Sequence, residues 1–218
     1  GNAFTDFVDI QTYVKGIPMS DQGQEVILHL TFDKIKNGGV FYTDSMGLEM
    51  QERKVDFRPT WDLKVTQHVS ENYYPINHGM TIMDDKMTLE VLNDRAQGGT
   101  SLEDGTMEFM IQRRTYRDDA RGVGEAMNET NPFSEEGRGA DVLMHHYLRF
   151  YNNTVNHTIA QNSRWMQREI DSPLQYIYGF KSQGFTPNNF RVKRFNSVID
   201  LPDQVKAVYL PPEDGSIF

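Results

Sequence analysis

The chain has no cysteine. That excludes a disulfide framework, a thiol nucleophile and a cysteine-ligated zinc site. No apolar run approaches the roughly 20 residues of a membrane-spanning helix, and no signal-peptide pattern opens the chain. Basic residues are few: 22 Lys and Arg stand against 31 Asp and Glu, a formal net charge of -9. Nucleic-acid surfaces neutralise phosphates with clustered Lys and Arg, so this balance argues against a nucleic-acid partner. Metal-ligand spacings are missing as well. No HxH, HxD or HExxH occurs, and the adjacent pair His145-His146 would point to opposite faces of a strand. His29, His68, His78 and His157 each stand alone, so no metal is assigned to this chain. Gly122-Val123-Gly124 lacks the third glycine of a dinucleotide loop, and no βαβ pattern surrounds it. There is no serine nucleophile elbow.

What remains is a chain of 218 residues, natural for one large β-sandwich or barrel and read here as a single β-rich domain, 1–218. Strand signals dominate. "EVILHLTF" is rich in branched apolar residues, and "KVDFRPTWDLKVT" places Val55, Phe57, Trp61, Leu63 and Val65 at alternate positions. "MTIMDDKMTLEVLND" reads as strand, Asp-Asp turn, strand, with Met87, Leu89 and Val91 on one face. "DRAQGGTSLEDG" reads as a loop closed by an Asp104-Gly105 turn. "TMEFMIQRR" sets Met107, Phe109 and Ile111 on one face and Glu108, Met110 and Gln112 on the other. "LMHHYLRFYNN" and "VKAVYLPP" complete the strands. Helical spacing through Ile159, Trp165, Met166 and Ile170, ended by Pro173, predicts a short helix over 157–171. Gly1-Asn2 without a methionine reads either as a cut from something longer or as an appended glycine, whereas Asp214-Gly215 opening a hairpin at the other end predicts a piece of a longer polypeptide.

The densest polar stretch is "RRTYRDDARGVGEAMNET", 113–130. Adjacent carboxylates such as Asp118 and Asp119 diverge, whereas glycoside hydrolysis needs a pair about 5 to 10 Å apart across a bond. The pair therefore reads as structural or substrate-positioning, or as a solvated turn. Tyr73-Tyr74 and Phe41-Tyr42 are read as packing first and as sugar-stacking second. Sequons at Asn128, Asn152 and Asn156 favour a lumenal or extracellular protein.

Five stretches in order, "FYTDSMGLEMQER", "RPTW", "NYYPINHGMTIMDD", "LNDRAQGGTSLEDGTMEFMIQRR" and "RDDARGVGE", resemble the C-terminal part of the class II α-mannosidases, glycoside hydrolase family 38, in particular the lysosomal acid branch. The resemblance is dense over about 40–125 and faint after 130. It implies a mainly β chain: an antiparallel β-sandwich of the super-sandwich, galactose-mutarotase-like kind, with one or two short helices. The chain would be a fragment of a multidomain retaining exo-mannosidase acting on terminal mannose of glycans. Zinc and the catalytic carboxylates would lie in an N-terminal catalytic domain, outside this chain, which would be inactive alone. That domain and mannose-containing glycans are the implied partners, in a lysosomal, vacuolar or secreted setting. The resemblance places Arg114 at the active-site rim, its fork of donors turned to sugar hydroxyls or a catalytic-domain carboxylate. Strand alternation agrees in putting Arg114 on the polar face and Arg113 on the packed one. Asp118 and Asp119 would pin the loop through Arg117, Arg121 or backbone N–H groups, with Gly122 and Gly124 permitting positive φ. The other reading is a stand-alone, non-catalytic carbohydrate-binding or scaffold domain.

Overall fold

A computed structural model describes residues 7–46, 49–133, 137–152, 164, 166, 167, 170 and 171. The chain divides into two units, Gly1–Ser172 and Pro173–Phe218. The second lies outside the described residues, as do the expected late strand "VKAVYLPP", Asn156 and His157.

Ten strands follow in order: β1 (Val8–Val14), β2 (Gln24–Thr31), β3 (Val40–Ser45), β4 (Glu49–Lys54), β5 (Tyr74–Ile76), β6 (Gly79–Met83), β7 (Met87–Asn93), β8 (Gln97–Thr100), β9 (Thr106–Arg114) and β10 (Val142–Asn152). They form a six-stranded sheet ordered β1-β10-β7-β6-β3-β4 and a four-stranded sheet ordered β2-β9-β8-β5. Neighbouring strands run antiparallel. The core lies between the sheets. Leu89 and Val91 of the larger sheet meet Met107, Phe109 and Ile111 of the smaller. This is the mainly β chain expected from the period-2 runs and the antiparallel β-sandwich that the resemblance implies.

The β6–β7 hairpin shows how sequence sets structure. Asp84 closes it, accepting the Lys86 and Met87 N–H groups at 2.8 Å each on Oδ1. Those bonds favour the ionised carboxyl and hold it below the usual carboxylate range. Past the turn, β7 is buried on both faces. Leu89 and Val91 enter the core, while Thr88, Glu90 and Leu92 on the other side are also covered. Glu90 is compensated by its cross-strand partner Arg149, 3.0 Å away.

Two expectations are corrected. Residues 55–65 alternate in polarity but form no strand. Asp56 takes φ +56°, which turns the chain out of β4. The buried Asn72 side chain then does the work of a neighbouring strand: its Oδ1 accepts from Asp56 N–H (2.9 Å) and its Nδ2 donates to Asp56 Oδ1 and His68 O (2.7 Å each). Phe57 and Trp61 stay more than half exposed, at 51% and 59%. Conversely, Gln97–Thr100 is a strand and not a loop. Its glycines permit close packing, since a Cβ on Gly98 would lie 2.7 Å from Met110 Sδ and one on Gly99 3.1 Å from Ile76 Cδ1. The Asp104-Gly105 turn is as expected, with Gly105 at φ +69°.

Arg164, Met166, Gln167, Ile170 and Asp171 are helical, inside the segment expected to hold a helix. A further single turn of 3-10 helix spans Ser70–Asn72.

Candidate functional site

β9 runs out of the sandwich at Arg113 and Arg114, and the sequence-derived faces are corrected there. Arg113 is the open one, 47% exposed at its side chain and paired with Glu25 at 3.0 Å. Arg114 is buried, 5% exposed. Alternation holds through Met107, Phe109 and Ile111, all buried. It fails at the strand end because segments from outside the sheet fold over Arg114.

The Arg114 guanidinium makes four hydrogen bonds within the chain. Nη1 donates to the carbonyls of Ile17 (2.5 Å) and Gly137 (3.1 Å); Nη2 donates to the Asn128 carbonyl (3.0 Å) and to Thr130 Oγ1 (3.2 Å). These match its four terminal N–H groups, so the fork faces the chain's own backbone. The approach of residues 16–17 to 139 depends on glycine. A Cβ on Gly16 would lie 1.9 Å from the Gly139 carbonyl oxygen. Gly139 N–H donates to Ile17 O at 3.0 Å, and Gly16 N–H to Asp141 Oδ1 at 2.8 Å.

From this knot a loop projects. Its neck is a double rung: Thr115 N–H donates to Met127 O, and Met127 N–H to Thr115 Oγ1, both at 3.0 Å. The aspartates act locally. Asp118 Oδ2 accepts from Ala120 N–H (2.7 Å) and Asp119 Oδ1 from Arg121 N–H (2.9 Å). Of the two pinning modes considered, this is the backbone one. Among the described residues neither carboxylate pairs with Arg117 or Arg121; Arg117 instead lies over the Tyr116 ring at 5.5 Å. Ala120 and Gly122 take positive φ, +59° and +85°, while Gly124 does not. Arg117, Asp119, Arg121 and Val123 face solvent.

The aromatic pairs pack. Phe41 meets Tyr74 edge-on at 5.7 Å, with the Arg53 and Arg58 guanidiniums over the Tyr74 ring at 4.4 and 5.1 Å. Tyr73 donates its hydroxyl to Glu108 at 2.5 Å; burial and that carboxylate push the phenol upward. The described histidines disperse. His145 and His146 do point to opposite faces, toward Asp9 (3.0 Å) and Gln97 (3.0 Å). His29, His68 and His78 each meet one carboxylate, those of Glu108, Asp56 and Asp171. No three potential metal ligands converge among the described residues, so the donor set does not fit zinc.

Sequence reasoning missed the acceptors of the knot. Three are backbone carbonyls, which carry no residue-type signature, and Gly16 and Gly139, which permit the close approach, went unread. Asn128 and Thr130, noted only as a sequon, bond to Arg114 through the Asn128 carbonyl and the Thr130 hydroxyl. Asn152 ends β10 opposite Met87.

Residues 4–121 match the family model described as the glycosyl hydrolases family 38 C-terminal domain. The chain is 41% identical over 220 residues to an alpha-mannosidase of Canavalia ensiformis, covering 97% of this chain and 22% of that protein. It is 46% identical over 168 residues to the lysosomal alpha-mannosidase of Homo sapiens, covering 76% of this chain and 16% of that protein. Over 168 residues it is 41% identical to the lysosomal alpha-mannosidase of Cavia porcellus, with the same shares of 76% and 16%. The chain thus spans about a fifth of the length of the curated relatives it matches.

Proposed function

From the premise that this chain belongs to the glycosyl hydrolase family 38 C-terminal domain family, we propose that it is the β-domain of a retaining exo-α-mannosidase and forms one wall of that enzyme's sugar site. The observation that carries this reading is the family match itself, which runs through β9 and into the projecting loop, ending at Arg121. The reaction removes terminal α-mannose from glycans in a lumenal compartment such as the lysosome, vacuole or secreted fluid. Zinc and the acid–nucleophile pair belong to the catalytic part of the longer polypeptide, and no step is assigned to a metal here.

In this reading the loop tip meets the sugar and the knot holds it there. Asp118 and Asp119 each keep one oxygen free of the turn bonds, and Arg117 and Arg121 extend outward, so donors and acceptors of a hydroxyl-binding wall are present together. Arg114 acts from behind as a positioning residue, because its terminal donors hold the loop neck. The exposed Phe57, Trp61 and Val69 side chains supply an apolar face for the catalytic part.

The test uses the longer polypeptide. Asp118→Ala with Asp119→Ala should lower kcat/KM on an aryl α-mannoside by about 10- to 100-fold, the range for losing one or two hydrogen bonds to a polar ligand, with the thermal midpoint almost unchanged. Unaltered turnover would remove the loop from the sugar site. Absence of any α-mannosidase activity in the unsubstituted polypeptide would remove the reading itself.

A further inference from the structure

We infer that Asn37-Gly38 is a spontaneous deamidation site that Asp104-Gly105 holds closed, and that its conversion makes an opening of these two loops irreversible. The inference goes beyond the sugar-site reading and does not rest on it. The sequence holds one Asn-Gly pair, Asn37-Gly38, and Asp104-Gly105 is an Asp-Gly pair of the same chemical kind. In both, the glycine nitrogen follows a side-chain carbonyl carbon that it can attack, and no Cβ obstructs it. Asn37 lies between β2 and β3, and Asp104 between β8 and β9. Each pair closes the other. Gly38 N–H donates to Asp104 Oδ1 at 2.7 Å, and Gly105 N–H donates to Asn37 Oδ1 at 2.8 Å. The Asn37 carboxamide is held on its other side as well, where Nδ2 donates to Val40 O at 2.8 Å and to Ser101 Oγ at 3.0 Å. Asn37 is buried, 6% exposed, whereas Asp104 faces solvent. The nucleophile and the group it would attack are therefore both tied by bonds that must be given up before they can meet.

When the clasp opens, the Gly38 nitrogen bonds to Asn37 Cγ. The bond from Cγ to Nδ2 breaks, and ammonia leaves with the proton from the Gly38 nitrogen. Water then bonds to one of the two carbonyl carbons of the resulting succinimide. The carbon–nitrogen bond at that carbon breaks, giving aspartate or isoaspartate. Nothing is oxidised, and water is the only co-reactant. Neither product rebuilds the clasp. A carboxylate at position 37 has no N–H for Val40 O and Ser101 Oγ. It also brings charge to a buried position where the amide nitrogen now lies 2.8 Å from a carbonyl oxygen. Isoaspartate further adds a main-chain carbon to the turn that enters β3, which is closed by Val40 N–H donating to Asn37 O at 2.9 Å. Ile35 and Phe41, on either side of the site, are core residues, so the damage passes to the sandwich.

The experiment incubates the longer polypeptide at neutral pH in heavy-oxygen water, native and in urea, and follows the peptide containing Asn37 by mass. Conversion replaces the amide nitrogen with one labelled oxygen. Unfolded chain should convert, and native chain should convert at least about tenfold more slowly, because reaction is confined to the open fraction. Equal rates overturn the clasp, and unfolded chain that does not convert overturns the site. Asp104→Ala, at an exposed side chain, should raise the native rate roughly 3- to 10-fold, the factor for one lost hydrogen bond. An unchanged rate overturns the guarding role of Asp104. Gly38→Ala should slow conversion in urea; an unaltered rate there overturns the succinimide route. Asn72→Ala loosens a different segment and should leave the Asn37 rate where it was. A rise matching that of Asp104→Ala would make global unfolding the route and overturn the clasp. For the irreversibility, Asn37→Asp should unfold at a lower urea concentration than the unsubstituted chain, and an unchanged midpoint overturns it.

Discussion

Glu90 and His146 are buried on opposite faces of the same sheet, and burial moves their protonation in opposite senses. Removal from water pushes the Glu90 carboxyl up to about 7, a shift Arg149 only partly offsets, and pushes the His146 imidazole down to about 4. The Glu90 contribution to stability is present below the ordinary value of 4.5 and lost as pH rises through about 7. That of His146 is present above the ordinary 6.5 and lost as pH falls through about 4. Each is worth about 3 kcal/mol at most, so between pH 4.5 and 6.5 they oppose one another. Urea unfolding of Glu90→Gln should show stability rising with pH in that window, and His146→Gln should show it falling. Parallel slopes in the two variants would contradict the assignment.

Arg114 and Arg113 should separate sharply. Arg114→Ala removes the four hydrogen bonds of a buried guanidinium and should cost about 3 kcal/mol. Arg113→Ala loses one half-exposed ion pair and should cost less than about 1 kcal/mol. Denaturant midpoints of the two variants decide the matter; equal losses would deny the knot its role.

Three glycines should rank by geometry. Gly16→Ala drives a Cβ to 1.9 Å from the Gly139 carbonyl oxygen and should be the most damaging, by several kcal/mol. Gly122→Ala has open space but φ +85°, so a strain of about 1 kcal/mol is expected. Gly124→Ala has open space and no positive φ, and should be neutral or slightly stabilising. Thermal midpoints in any other order would refute the ranking.

Asn72→Ala should release the 55–69 segment. Three hydrogen bonds of a fully buried side chain are lost, for about 2–3 kcal/mol. Trypsin should then cut faster after Lys64, while Phe57→Ser, at an exposed side chain, should leave the cutting rate alone.

Much of the sandwich was legible because a half-buried strand must alternate, as β9 does through Ile111, and because Asp84 announces its own turn. Residues 55–65 alternate too, yet alternation without a neighbouring ladder is only a pattern, and Asn72 supplied the bonds instead. Gln97–Thr100 went unread because its glycines serve close packing, which composition does not distinguish from turn freedom. At the site, the projecting loop was legible from its Asp and Gly residues. The orientation of Arg114 was not, since what buries it comes from residues 17, 128 and 137, segments that local periodicity cannot place.

The pairing of β1 with β10 also sets a timetable. Val8 finds its partner in Leu148, so the first of the described ten strands to be synthesised bonds to the last of them. At roughly 5–20 residues per second, the separation of 140 positions takes on the order of ten seconds to synthesise. Through that interval Val8, Ile10 and Val14 wait with an unpaired edge. The closing step also carries the highest loop entropy in the unit. β1 is thus the segment that a nascent-chain holdase would guard, and a truncation removing β10 would leave it exposed for good, with edge-to-edge aggregation as the expected fate.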